Sequence, residues 1–340
     1  MFYGLKKRII TKAVEKRNKK ATFNYNYAER YELSGSDPLT NNSYYFSGHN
    51  QNNSFYCRLG KRVDKEEVWL TIYLNGEAYT LKEEMFKDNN SPLKVSKSDN
   101  WNIEFIGIVV DGENVNHKLK LNGEFIDKFN PINFGSDMPS YRMGVAMAQH
   151  KWNKEFFENV KKIQGQTHYE QEGILNLNIE LDGKEYLLNL PCVRDHSFGK
   201  RDWDYMNNHL WIMAINGEKQ LNFSMVSYPA LKILEVGNFR LGEKEQKFMK
   251  EAHYDRGEVV LRDNPNCLKI EYVTEDGFIH QIESKLIHKR EYSFEGVYFF
   301  LENIAEFIID GEIYRGILEI GFNKEEKRAY NGENIRGLKV

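Results

Sequence analysis

Cysteine is nearly absent. Cys57, Cys192 and Cys267 stand far apart in a chain of 340 residues, with no Cys-x-x-Cys pair. That spacing excludes a zinc ribbon. An odd, sparse set also argues against a disulfide framework and for a reducing compartment. Proline is scarce, at seven residues. No run of about 18 apolar residues occurs, so no integral membrane segment is expected. The first residues lack the apolar core of a signal peptide, and the expected location is cytoplasmic. The formal net charge of -3 leaves no global field to attract nucleic acid, so no nucleic-acid partner is expected.

Familiar chemical motifs are missing too. There is no Gly-x-Ser-x-Gly elbow, no His-Glu-x-x-His, no Walker A pattern and no Gly-rich phosphate loop. The nine histidines are scattered, without metal-ligand spacing. The sequence therefore predicts neither a cofactor nor a metal.

What is present is aromatic and rich in hairpins. Aromatics make up 14% of the chain, a composition suited to pleated sheet. Val68, Leu70, Ile72 and Leu74 alternate up to Asn75-Gly76, with Tyr79 and Leu81 beyond. Such a dipeptide supplies the positive φ that a two-residue hairpin turn requires. The same punctuation recurs at Asp111-Gly112, Asn122-Gly123, Asp182-Gly183, Asn216-Gly217, Asp276-Gly277 and Asp310-Gly311. The fold class expected is all-β and antiparallel, with one or two helices, in two tandem barrels joined by a helical linker. Ile72–Leu81 and Ile179–Leu188 share the pattern I-x-L-[N/D]-G-x-x-Y-x-L, a hint of duplication.

The expected divisions are a basic extension over 1–30, a first barrel over 31–135, a helical linker over 136–165, a second barrel over 166–323 and a charged tail over 324–340. Leu5, Ile9, Ala13 and Val14 recur at helical spacing among the lysines of residues 1–20, either as a terminal helix laid on the body or as a peripheral membrane or partner contact. Gly144–Gln164 reads as one amphipathic helix, with Met147 and Trp152 as packing residues. Val259–Leu261 reads as a strand, and Gly316 marks a bend inside the last strand. The sequence leaves the oligomeric state open.

Pro191–Trp203, PCVRDHSFGKRDW, concentrates the chemistry. Alternation along an extended chain puts Arg194 and His196 on one face and Asp195 and Ser197 on the other, with a bend at Gly199. Two readings follow. Arg194, Asp195, Arg201 and Asp202 form a structural ion-pair network, or His196 lines an apolar cavity as an acid or base. In the second, Phe198, Trp203 and Trp211 bind ligand with their rings. His49, Glu306 and Glu319 are further candidates for a barrel interior.

The run Leu190–Trp203, with His168–Gly173 (HYEQEG), Met225–Pro229 (MVSYP), Phe55–Arg62, Glu67–Leu74, Asn100–Gly107 and the segment from Glu302 to Phe322, resembles a lipocalin-like module. That module is fused to animal proteins described as phosphoenolpyruvate synthases. The wider superfamily has tandem lipocalin-like barrels and includes carotenoid 1,2-hydratases and decalin-forming Diels–Alderases. Its Asp-His-x-Trp-Gly core corresponds to Asp195-His196-Ser197-Phe198-Gly199, with Phe198 in place of Trp. The resemblance implies the fold. It further implies a cofactor-free hydratase, cyclase or isomerase of specialised metabolism, acting on a hydrophobic polyene- or isoprenoid-like molecule. His196 and Asp195 are then the catalytic candidates, Arg194, Phe198, Arg201, Trp203 and Trp211 the ligand-binding ones, and Asp202 and Gly199 structural. The alternatives are a non-catalytic carrier or sensor of a hydrophobic ligand, or an accessory protein to a phosphotransferase.

Overall fold

The computed structural model describes residues 2–20, 23–33, 36–87, 90–242, 245–260, 265–294 and 296–325. The part of the expected charged tail beyond 325 lies outside the described residues. The chain forms two closed, eight-stranded antiparallel barrels.

The N-terminal barrel uses β1 (Thr40–His49), β2 (Asn53–Lys61), β3 (Lys65–Leu74), β4 (Glu77–Thr80), β5 (Met85–Lys87), β6 (Leu93–Lys97), β7 (Trp101–Val110), β8 (Asn116–Asp127), β9 (Ile132–Asn133), β10 (Gln166–Leu181) and β11 (Lys184–Lys200). Its ring runs β1-β2-β3-β4-β7-β8-β10-β11 and closes where β11 pairs with β1. The short strands β5, β6 and β9 pair with β3, β7 and β10. The C-terminal barrel runs in chain order through β12 (Asn208–Asn216), β13 (Lys219–Ser227), β14 (Leu234–Leu241), β15 (Gln246–Tyr254), β16 (Lys269–Thr274), β17 (Ile279–Phe294), β18 (Tyr298–Ile309) and β19 (Glu312–Asn323).

The expected boundary at 166 is corrected. Phe23–Gly135 and Gly165–Arg201 make one compact unit, and the described parts of Met1–Thr22, Ser136–Gln164 and Asp202–Val340 make the other. Residues 166–200 supply the last two staves of the first barrel, so Pro191–Lys200 belongs to that barrel and not the second. Without β10 and β11 the first sheet would end in two open edges, with their ladder groups unpaired. The segment 136–164 therefore does not join the barrels. It leaves the first one before that barrel is complete.

That segment is also not one helix. It forms α3 (Ser140–Ala148) and α4 (Lys154–Lys162), after α1 (Tyr3–Asn18) and α2 (Tyr25–Glu29) earlier in the chain. The break has local causes. The Asn153 side chain caps α4 by accepting the Phe156 N–H at 2.7 Å. Trp152 Nε1 donates to the Met147 carbonyl at the end of α3, at 3.0 Å. Helix α1 packs on α3 through Ile10 and Val14, while Leu5 and Ile9 are exposed. Gly144 gives α1 room to approach, because a Cβ there would collide with Thr11. The expected strand at Val259–Leu261 is corrected as well, since Val259 lies in a short helix, α5 (Arg256–Val260). Among the described residues no helix is long and apolar enough to cross a membrane.

Some turn dipeptides behave as predicted. Asn75, Asp182 and Asp310 have φ of 50°, 51° and 51°, each followed by a glycine of positive φ. Asn122-Gly123 does not turn and lies inside β8, where Gly123 leaves room for the Leu177 side chain. The proposed repeat pairs two hairpins of the same barrel, β3–β4 and β10–β11. A correspondence between barrels starts instead at Asp182-Gly183 and Asp310-Gly311. Asp182 accepts from the Lys118 N–H at 2.8 Å and meets His117 Nδ1 at 2.7 Å. Asp310 accepts from the Gln281 N–H at 3.0 Å and meets His280 Nδ1 at 2.6 Å.

Each barrel encloses its own core. Phe46, Phe55, Leu70, Ile72, Phe105, Phe125 and Leu177 contribute to the first, and Leu210, Phe223, Phe239, Tyr272, Phe307 and Leu318 to the second. Gly316 is required for closure of the second barrel. It pairs with Ala214 on β12, and a Cβ there would run into the Met213 carbonyl oxygen. Gly316→Ala is expected to lower stability by about 2–3 kcal/mol through overpacking. A chemical-denaturation midpoint equal to that of the wild type would contradict this.

Candidate functional site

Strand β11 sends alternate side chains into the first barrel. Leu190 and Cys192 join the apolar core, and Arg194, His196 and Phe198 continue the same face toward the strand end. Arg194 and His196 have no exposed surface. A buried guanidinium needs a counter-charge, and α2 supplies it. Glu29 Oε1 lies 2.8 Å from Arg194 Nη2. The same Nη2 faces Gln171 Oε1 at 2.7 Å and the Tyr25 hydroxyl at 3.0 Å. The guanidinium carbon lies 4.9 Å from the ring centre of Trp101 and 5.3 Å from that of Tyr169, within cation–π range. Nε and Nη1 of Arg194 are buried and have no hydrogen-bond partner among the described residues.

Glu29 is held from several sides. Its Oε1 accepts from the Tyr169 hydroxyl at 2.5 Å, and its Oε2 accepts from Trp101 Nε1 at 2.7 Å and lies 3.2 Å from Lys97 Nζ. Burial works to raise its pKa, but the Arg194 charge and the hydrogen bonds from Tyr169 and Trp101 hold it below its ordinary value. The Tyr169 oxygen also lies 2.6 Å from Nδ1 of His196. On the other side of the imidazole, Nε2 meets Asn42 Oδ1 at 2.8 Å. The Asn42 amide nitrogen donates to the Tyr31 carbonyl and the Tyr44 hydroxyl, which leaves Oδ1 for His196. Nε2 therefore carries the imidazole proton and Nδ1 is the basic nitrogen. Tyr169 thus has one hydrogen and two acceptors facing it. Burial and the nearby Arg194 charge push His196 down to about 3.

The sequence-predicted residues divide. Arg194, His196 and Phe198 come together, with Phe198 stacked on Tyr31 at 4.2 Å. Asp195 lies on the opposite, outer face of the barrel from His196, as alternation along the strand predicts. There Asp195 Oδ2 lies 3.2 Å from His168 Nε2, which also faces Glu170 Oε1 at 3.3 Å. Burial pushes Glu170 up to about 7 against the opposing pull of His168. These three ligand atoms lie within 4.8 Å of one another, metal-donor spacing that linear distance had hidden. Gly199, with φ of 108°, ends β11 where a Cβ would meet the Gly165 carbonyl oxygen at 2.5 Å. The Arg201 N–H is tied to the Leu39 carbonyl at 2.9 Å.

Except for His49, the remaining candidates lie in the other unit. Asp202 caps the turn Trp203–Tyr205 by accepting the Asp204 N–H at 3.0 Å. Trp203 stacks on Phe294 at 4.7 Å and on Tyr298 at 5.4 Å. Trp211 is buried on β12, opposite Glu319 in register. Glu319 bonds His209 Nε2 at 2.6 Å, and Glu306 faces Arg315 at 3.7 Å. His49 is buried at the end of β1 and bonds Ser47 at 2.7 Å.

Sequence reasoning missed Glu29, Asn42, Trp101, Tyr169 and Gln171. One signal was available, since the HYEQEG segment contains Tyr169 and Gln171 at alternate positions.

The low His196 pKa sets a pH dependence. The unfolded chain takes up a proton below about pH 6.5 at this residue, whereas the folded chain does not until about pH 3. This site's contribution to stability is thus full above the unfolded pKa and falls with pH through that window. In urea denaturation, the stability advantage of wild type over His196→Gln is expected to shrink between about pH 7 and about pH 4. A difference that does not change with pH would contradict this.

Among curated proteins, none matches the chain with significance. A Nitrosomonas europaea protein provisionally described as AttH superposes with a TM-score of 0.54 at 9% identity, over 88% of this chain and 96% of that one. CghA bound to Sch210972 gives 0.47 at 10% identity, over 85% and 89% of the two chains. Kievitone hydratase from Nectria haematococca gives 0.45 at 13% identity, over 88% and 95%. At such identities the likeness to the first protein is one of fold. The family match is direct: residues 28–324 match a family described as a domain of unknown function, DUF7064, and the chain belongs to that family.

Proposed function

We propose that the chain is a cofactor-independent acid–base enzyme, of the lyase, cyclase or isomerase kind, acting on a small, largely apolar molecule in the N-terminal barrel. The observation that carries this reading is the buried cluster of Arg194, Glu29, Tyr169 and His196 in an otherwise apolar barrel. The second barrel acts as an internal control. Twelve residues past Asp182 stands Arg194, and twelve past the matching Asp310 stands Phe322, which joins the apolar core of its barrel. At this place the architecture thus closes with an apolar residue as readily as with a charged one, and buried ion pairs are weak contributors to stability compared with apolar packing. Retaining one at this place makes sense as chemistry.

In this reading Tyr169 carries a proton to or from the bound molecule. His196, kept neutral, presents Nδ1 as a hydrogen-bond acceptor on the far side of the phenol oxygen. Asn42 fixes the tautomer, as a hydrogen-bonded partner does for a catalytic imidazole. Arg194 faces the oxygen on which negative charge develops, in a site of low dielectric where a fixed charge acts strongly. The sum is a proton moved from one position of the molecule to another, with no change of redox state. Asp195, Trp203 and Trp211 have no part in it.

Tyr169→Phe removes one hydroxyl and leaves the ring in place. Conversion of small molecules from a cell extract, followed by mass spectrometry with purified wild type and variant, is expected to fall by about 10²–10⁴-fold. The set of molecules retained by the protein is expected to stay the same. Retention without conversion by the wild type would instead favour a carrier, and neither retention nor conversion would refute both readings.

A further inference from the structure

The carboxylate of Glu29 sits among four donors that belong to the barrel. Arg194 Nη2 and the Tyr169 hydroxyl reach Oε1 at 2.8 Å and 2.5 Å. Trp101 Nε1 and Lys97 Nζ reach Oε2 at 2.7 Å and 3.2 Å. All four come from strands, or in the case of Tyr169 and Arg194 from the two strands that close the ring. Glu29 itself comes from α2, a helix of five residues laid at the barrel end, whose Tyr27 is 60% exposed. Removing α2 would leave an intact carboxylate receptor with two cations and no counter-charge. The receptor is also incompletely filled. A carboxylate can take two parallel N–H bonds from a guanidinium, but Glu29 takes one, and Nε and Nη1 of the fully buried Arg194 have no hydrogen-bond partner among the described residues.

We propose that this is a ligand-carboxylate subsite and that Glu29 is its resting occupant. The molecule that displaces it is an apolar carboxylic acid, whose carboxylate takes the place of Glu29 among these four donors. The inference rests on the functional reading above for the location of the site, and adds the class of molecule and the competition with α2. Desolvated Arg194 requires an anion at every stage, so departure of Glu29 and arrival of the ligand are coupled.

The probes are sodium decanoate and decan-1-ol, which share an apolar chain and differ in the acid group. Isothermal titration calorimetry with Glu29→Ala is expected to show one decanoate per chain, bound about tenfold tighter than by wild type. Decan-1-ol is expected to gain nothing from the substitution. Thermal unfolding of the variant should shift upward with decanoate alone. If Glu29→Ala does not fold, Glu29→Gln reads the same comparison, since its neutral amide also leaves Arg194 uncompensated. The double variant Glu29→Ala, Arg194→Met removes both charges together and is expected to lose the preference for the acid. Equal affinity for acid and alcohol, no gain on removing Glu29, or a preference that survives in the double variant would each overturn the proposal. The two readings fail separately. Preferential decanoate binding with conversion untouched in Tyr169→Phe removes the catalytic reading alone. Conversion that depends on Tyr169 without any acid preference removes this inference alone.

Discussion

A full positive charge with no exposed surface governs this molecule. Arg194 sits inside the N-terminal barrel, where an uncompensated guanidinium would cost several kcal/mol. Its needs explain why a short helix ahead of β1 turns in to deliver Glu29 and Tyr25. They explain why β10 presents Gln171 and why the rings of Trp101 and Tyr169 lie against the guanidinium. His196 then finds itself beside a cation in a dry site, which keeps it neutral and makes its Nδ1 an acceptor. One charge thus sets the protonation of its neighbours and the position of a segment far from it in sequence.

Two barrels of the same strand order allow the scaffold to be separated from the site. Both close with eight antiparallel strands, and both anchor an Asp-Gly hairpin to a histidine on the adjacent strand. Where one has the apolar Phe322, the other has Arg194 and gives up that part of its interior to ionised and hydrogen-bonded groups. The fold is indifferent to that choice, because closure depends on ladder pairing and on small residues such as Gly316, where strands press together.

The readable parts of the site were those governed by local rules. Alternation placed Arg194 and His196 together and turned Asp195 away, since a strand has a side-chain period of two. Asn75, Asp182 and Asp310 were readable as turns because their dipeptides tolerate positive φ at low cost. The same signal misled at Asn122-Gly123, where glycine makes room for a leucine from β10. Trp203 and Trp211 resembled site residues by proximity in sequence to His196. The chain passes from one unit to the other between Arg201 and Asp202, and that change leaves no mark in composition.

The sequence by itself determined the antiparallel all-β architecture, the position of most strands and the face that Arg194 and His196 share. These follow from residue pattern and from turn chemistry over a few residues. Only the tertiary structure decided that residues 166–200 complete the first barrel, that 136–164 is an excursion before closure, and that Glu29, Asn42, Trp101 and Tyr169 meet Arg194 and His196. The reason is the same in each case. Barrel closure pairs β11 with β1 across about 150 residues of intervening chain, and the partner of a buried charge is chosen by where it can reach in space. Neither leaves a local pattern to read.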